Sequence, residues 1–270
     1  MPVRTTAETR KISLHLNVFF TPSTIVANET GTHDIFIVID VIRATTTMAV
    51  MFDRGAARVF VAGSVKQARE AAQKFPGRLL CGERNVQRVP GFDYGNSPVQ
   101  FSQLDLSGRE MIHTTTNGTR AFYACPEQTT RLAGCLYNAE AVAARALALA
   151  REQGGNIALV CAGELGYFAL DDAACAGYLA LELKRQDGVS AAGRPQGSPL
   201  HFHESVDAAI ALYEAYRPPL VIDHSQSARS VIEGGLPEDV YFCMQTGVSM
   251  SVPVVVGREA ETGVLVLERV

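Results

Sequence analysis

The chain has 270 residues, 47% apolar and 19% charged, which is enough apolar material for one large α/β domain or two lobes sharing an interface. A formal net charge of −4 supplies no basic stripe, which excludes a binder of nucleic acid or of an anionic membrane surface. No apolar run approaches the ~20 residues of a membrane-spanning helix, and polar Met1 to Lys11 carries no signal-peptide core, so a cytoplasmic location is expected. Cys81, Cys125, Cys135, Cys161, Cys175 and Cys243 form no Cys-x-x-Cys pair, and their apolar settings suit free, buried thiols.

Strand and helix signals alternate along the chain. Ile35 to Asp40 is a short β-branched strand, and Ala44 to Arg54 reads as a helix. Ala57 to Ala62 is again a strand; Ser64 caps a helix through Lys74, which Pro76-Gly77 stops. A strand begins over Arg78 to Cys81, and Gly82 to Pro98, rich in Gly, Pro and Asn, reads as a long loop. Glu110 to Thr114 is a strand and Gly118 to Cys125 a helix. Asn138 caps an Ala-rich helix over Ala139 to Gln153, Ile157 to Cys161 is a buried strand, and Leu170 to Gln186 is a helix. Asp187 to Pro199 has no periodicity and reads as a surface insertion. Ser205 to Tyr216 is a helix ended by Pro218-Pro219; Val240 to Met244, Ser251 to Val256 and Gly263 to Val270 read as strands. This order predicts a three-layer α/β/α fold with a mostly parallel sheet and antiparallel pairing in the C-terminal tail. Because both halves carry strand-loop-helix units, an N-terminal lobe (1–135) and a C-terminal lobe (136–270) are expected, either as two similar lobes or as one compact domain.

In open α/β sheets ligands bind beyond the carboxyl ends of strands, where helix N-termini converge. Three segments have this strand, polar loop, helix order. In the first, Asp40 ends a strand and Arg43, Thr45, Thr46 and Thr47 open a helix, an arrangement suited to an anion, although Asp40 and the threonines could equally cap the helix. In the second, Thr114, Thr115, Thr116, Asn117, Gly118, Thr119 and Arg120 combine hydroxyls, an amide, a permissive glycine and a cation. In the third, Gly163 and Glu164 lead to Asp171 and Asp172, which could hold a hard cation or simply complement a helix dipole. The long loop adds Glu83, Asn96 and Ser97. Other chemistries fail on spacing. Asp40 lacks the second aspartate of an Asp-x-Asp nucleophile motif, Cys161 lacks an arginine six residues on, and there is no P-loop or Gly-x-Ser-x-Gly elbow. His201-x-His203 borders the insertion and reads as surface, while His113 is isolated and reads as a core or supporting residue.

Four stretches taken in order, Val38 to Thr47, Gly82 to Pro98, Thr114 to Ala121 and Cys161 to Gly177, resemble the 2-phosphosulfolactate phosphatase family, with agreement from about Leu14 to Val256. Val86 departs from the pattern, which usually has glycine there. The resemblance implies a magnesium-dependent hydrolase that releases phosphate from a small anionic substrate, 2-phosphosulfolactate, on the way to coenzyme M. On the residue types and their strand-end positions, catalysis is assigned to Asp40, Arg43, Glu83, Asn117 and Arg120, and Mg2+ to Asp40, Glu83, Glu164 and Asp172. Thr45, Thr46, Thr115, Thr116, Gly118, Thr119, Asn96, Ser97 and Gly163 are assigned to substrate binding. Another small 2-phospho acid, or a non-catalytic anion binder of the same fold, are the competing readings; a homodimer is the assembly state left open.

Overall fold

A computed structural model of the protein describes residues 13–25, 30–188 and 199–270. Met1 to Lys11 and residues 189–198 of the expected insertion lie outside the described residues. The strands are β1 (Leu14–Phe19), β2 (Ile35–Ile39), β3 (Arg58–Val61), β4 (Leu79–Arg84), β5 (Gln87–Arg88), β6 (Glu110–Thr114), β7 (Thr130–Gly134), β8 (Ile157–Cys161), β9 (Leu200–Phe202), β10 (Pro253–Arg258) and β11 (Leu265–Arg269). They form one 11-stranded sheet in the order β5-β4-β6-β3-β11-β10-β7-β2-β8-β1-β9. One parallel block holds β9, β1, β8, β2 and β7; another holds β3, β6 and β4. Antiparallel β10 and β11 join the blocks, as expected of the tail. The two halves of the sequence interleave, because β1 lies between β8 and β9 while β10 and β11 lie between β7 and β3.

The helices are α1 (Ala44–Asp53), α2 (Val65–Lys74), α3 (Pro98–Ser102), α4 (Gly118–Ala124), α5 (Ala139–Gln153), α6 (Leu170–Asp187), α7 (Glu204–Ala215), α8 (Val221–His224), α9 (Gln226–Glu233) and α10 (Pro237–Cys243). Ser64 caps α2 as expected, accepting from the Gln67 amide at 3.1 Å. Several expectations change. Val240 to Met244 is not a strand; it closes α10, whose Pro237, Glu238 and Asp239 supply a helix start that outweighs a short apolar run. Gly82 to Pro98 is not simply a loop: β4 continues to Arg84 and turns back through Asn85 and Val86 into β5. Asn138 does not cap α5 with its side chain, which instead ties the Cys135 amide to the Ala133 and Ser251 carbonyls. All six cysteines are free and buried.

Strand periodicity distributes the core. Ile35, Ile37 and Ile39 of β2 pack with α5 and α6 residues such as Val142 and Leu179, while Phe36 and Val38 pack on α1 and α4 through Met48, Phe52 and Phe122. The block around β2 thus has the expected helix-sheet-helix layering. The α1/α4 cluster also takes Val59, Met111, Leu265 and Leu267 from the strands of the other block. The sheet therefore curls around these helices, as a run of twisted strands does. Enclosure on all sides explains why every residue of α1 from Ala44 to Phe52 is buried.

One ion pair holds α10 against the start of α1. Arg43 Nη1 donates to Asp239 Oδ2 at 2.8 Å, both side chains being 2% exposed, and Arg43 Nη2 donates to the Val86 carbonyl at 2.9 Å. Asp239 Oδ1 also accepts from Ser97 Oγ. Removing either partner strands a buried charge, so Arg43→Met and Asp239→Leu should each cost about 3–5 kcal/mol. The double variant should cost less than the sum in urea denaturation. Additive losses would show that the two residues act independently.

Candidate active site

The carboxyl ends of β2, β4, β6 and β8 open on one cleft of about 360 Å³. Its wall includes Asp40, Glu83, Asn96, Thr115, Thr116, Asn117 and Glu164, so most of the residues expected from sequence meet there. The segment after β6 makes this possible by crossing to β2. Gly118 lies so close to Asp40 that a Cβ would stand 2.5 Å from Asp40 Oδ2, so only glycine fits.

Asp40 is 7% exposed, and its Oδ1 accepts from the Ala44 amide at 3.1 Å. Burial, followed by the charges of Glu83, Asp171 and Glu164, pushes its carboxyl up to about 7, against the bond from Ala44. Glu164 is also raised, by burial and then by Glu83, against hydrogen bonds from Ser227 and Asn117. Its Oε2 accepts from Asn117 Nδ2 at 3.1 Å and from Ser227 Oγ at 3.3 Å. Glu83 has both oxygens committed: Oε1 accepts from the Thr116 amide at 2.7 Å, and Oε2 from the Val86 amide at 3.0 Å and Thr116 Oγ1 at 3.1 Å.

The structure gives other expected residues different work. Thr45 and Thr46, both fully buried, return their hydroxyls to the Asp40 and Val41 carbonyls, so they tie the strand to α1 rather than cradle an anion. Thr115 and Thr119 bond each other reciprocally, and Ser97 caps α3 and holds Asp239. Arg43 lines the cleft, but its fork is occupied by Asp239 and Val86. Arg120 is exposed and outside the cleft lining, beside Arg84. Asp172 is no open ligand: Oδ1 accepts from the Val41 amide at 2.9 Å and Oδ2 from the Gly163 amide at 3.0 Å, which locks two strand ends together. Gly163 turns at a φ of +70°, with the Tyr167 carbonyl 2.3 Å from where a Cβ would sit. Cys161 is sealed in the core, and burial holds its thiol well above the usual range, so it is no nucleophile.

Sequence reasoning missed part of the wall: Ser227, Ser230 and Glu233 from α9, and the turn residues Asn85 and Val86. Ser225, which caps α9 through the Ala228 amide, was the available signal, with Ala228 and Val231 three apart behind it. Val86 sits at a φ of +70°, following Asn85 at +51°, the conformation of a tight hairpin turn that favours Asn-Gly. The position where a glycine was expected is thus one where valine is strained, and the bonds to Glu83 and Arg43 hold it.

Asp40 Oδ2 and Glu164 Oε1 make no hydrogen bond to protein among the described residues. Within those residues no three His, Cys, Asp or Glu side chains are grouped so as to hold a metal ion by themselves. Magnesium rarely relies on such a group. It binds through one or two carboxylates and keeps its remaining positions for water and substrate phosphate. Two unpaired carboxylate oxygens in a cleft of mutually repelling acids fit that ion.

The chain is similar to proteins of one family over most of its length. Residues 19–258 match the family model described as 2-phosphosulpholactate phosphatase. A protein of Thermus thermophilus named "Probable 2-phosphosulfolactate phosphatase" is 36% identical over 230 residues, 84% of this chain and 90% of that protein. Proteins of the same name from Deinococcus radiodurans and Thermotoga maritima are 44% identical over 149 residues (54% of this chain, 60% of that one) and 33% identical over 223 residues (82% and 88%). With these matches joined to the cleft at its strand ends, the chain belongs to the 2-phosphosulfolactate phosphatase family.

Proposed function

We propose that this chain is a magnesium-dependent phosphatase that hydrolyses 2-phosphosulfolactate to sulfolactate and phosphate. Its family and the names of its relatives make it a phosphoric monoester hydrolase. The observation that carries the metal requirement is the sign of the cleft. Asp40, Glu83, Glu164 and Glu233 line it, and Arg43, the one arginine in its wall among the described residues, is neutralised by Asp239. A phosphate dianion with further sulfonate and carboxylate charges enters such a space only with a compensating cation.

Asp40 and Glu164 are the residues that would hold magnesium, through Oδ2 and Oε1. The ion would neutralise phosphoryl oxygens and polarise the ester. The chain's own groups do the rest. Glu83 fixes the Thr116 amide and the Asn85–Val86 turn, which form one wall. Asn117 bridges that wall to the opposite one, donating to Glu164 and accepting from the Leu165 amide at 3.1 Å. Asp40, directly after β2, would act either on an attacking water or on the phosphorus itself.

Phosphate release from 2-phosphosulfolactate should stop with EDTA and return with magnesium; full activity in metal-free buffer would rule the proposal out. A panel of other 2-phospho acids in the same assay identifies the preferred ester.

Asp40→Asn and Glu164→Gln should each lower kcat/KM at least about a hundredfold, roughly 2.7 kcal/mol of barrier, while Cys161→Ser retains most activity. Near wild-type turnover in either acid variant removes that residue from the reaction.

Burial also sets a pH dependence. The folded protein holds Asp40 protonated up to about 7, whereas the unfolded chain releases that proton at 3.8. Stability from this group is complete below the lower value and is lost as pH rises through the higher one. In EDTA the melting temperature should therefore fall between about pH 4 and about pH 7. Asp40→Asn should flatten the fall, and magnesium should raise the alkaline end. An unchanged slope in the variant would deny Asp40 this part.

A further inference from the structure

His113, on β6, is wholly buried behind the cleft. Its Nε2 lies 3.0 Å from Asn96 Oδ1, and Asn96 lines the cleft. The other ring nitrogen, Nδ1, is sealed from solvent without a hydrogen-bond partner among the described residues. Among the described residues Asn96 Nδ2 makes no hydrogen bond to the protein, and Asn96 is part of the cleft wall.

Two arrangements of this pair are conceivable. With the proton on Nε2, the ring donates to Asn96 Oδ1, Nδ1 keeps a bare lone pair, and the amide NH2 faces the cleft. With the proton on Nδ1, an N–H is buried without an acceptor, and the amide presents its oxygen instead of its NH2 to a cleft whose wall includes Asp40 and Glu83. The second is disfavoured twice: orphaned N–H groups are the rarer defect in folded proteins, and a carbonyl dipole aimed at carboxylates is repelled. Burial, and then the charges of Arg84 and Arg43, hold the ring neutral, with a pKa down at about 3.

We propose that His113 is a positioning residue whose Nε2–H fixes the Asn96 amide, so that Asn96 Nδ2 donates to a phosphoryl oxygen of the bound ester. This deepens the phosphatase reading and rests on it. A neutral donor suits this cleft because an arginine placed there would pair with the acids, as Arg43 does with Asp239, and be lost to the substrate.

The test is calorimetry with inorganic phosphate and magnesium on the whole protein, alongside nitrogen NMR of the His113 ring. Asn96→Ala and His113→Leu should each weaken phosphate binding roughly tenfold. His113→Gln, which offers an N–H donor in place of Nε2, should recover most of that. The double variant Asn96→Ala with His113→Leu should be no worse than Asn96→Ala alone, since the histidine acts only through the amide. The wild-type spectrum should show a neutral ring protonated on Nε2. Additive losses, wild-type affinity in either single variant, no recovery with glutamine, no phosphate binding by the wild type, or an Nδ1-protonated ring would each overturn the proposal. If the leucine variant does not fold, the glutamine variant and the spectrum decide. Failure of the wild-type protein to release phosphate from any 2-phospho acid would instead refute the phosphatase reading, and the ring's tautomer would still be read independently.

Discussion

Repulsion among carboxylates governs the cleft. Asp40, Glu83 and Glu164 come from the ends of β2, β4 and β8, with Asp171 close enough to raise Asp40 further. Like charges in a partly dehydrated space are costly, and hydrogen-bond donors lower the cost only where they reach. Glu83 receives three donors and Glu164 two, whereas Asp40 receives one to its side chain. What is left uncompensated is concentrated on Asp40 and on the free oxygen of Glu164.

The surrounding arginines do not relieve it. Arg43 is held by Asp239 and the Val86 carbonyl, and Arg84 donates to Thr114 Oγ1 and to the Glu83 carbonyl. Arg120 stays exposed beyond the lining. Holding cations away from the acids preserves the demand for an external positive charge. The same clamp fixes α10, and with it the neighbouring α9 that supplies Ser227 and Glu233. Electrostatics and packing are therefore joined at Arg43.

Enclosure of α1 gives the site its rigidity. Because the sheet curls around α1, the loop between Asp40 and Ala44 is buried from both sides, and Thr45 and Thr46 in the first turn of α1 satisfy backbone groups that water cannot reach. The threonines that look like an anion cradle in sequence are thus the internal bracing of the strand-helix junction. The same holds for the Thr115–Thr119 pair at the start of α4.

The sequence by itself determined the local elements and the chemical class of the site. The continuous buried apolar runs of Ile35 to Ile39 and Ile157 to Cys161, the Ser64 cap and the strand-end positions of Asp40, Glu83 and Glu164 are all written within a few residues of where they act. Short apolar stretches such as Val240 to Met244 were ambiguous, because a five-residue run fits a strand or a buried helix turn equally well. Only the tertiary structure decided which polar groups remain free. Asp172 and Arg43 look as available in sequence as Glu164, yet Val41, which holds the one, and Asp239, which holds the other, come from distant segments. The order of strands in the sheet brings those segments together, and that order depends on long-range packing that no local pattern encodes.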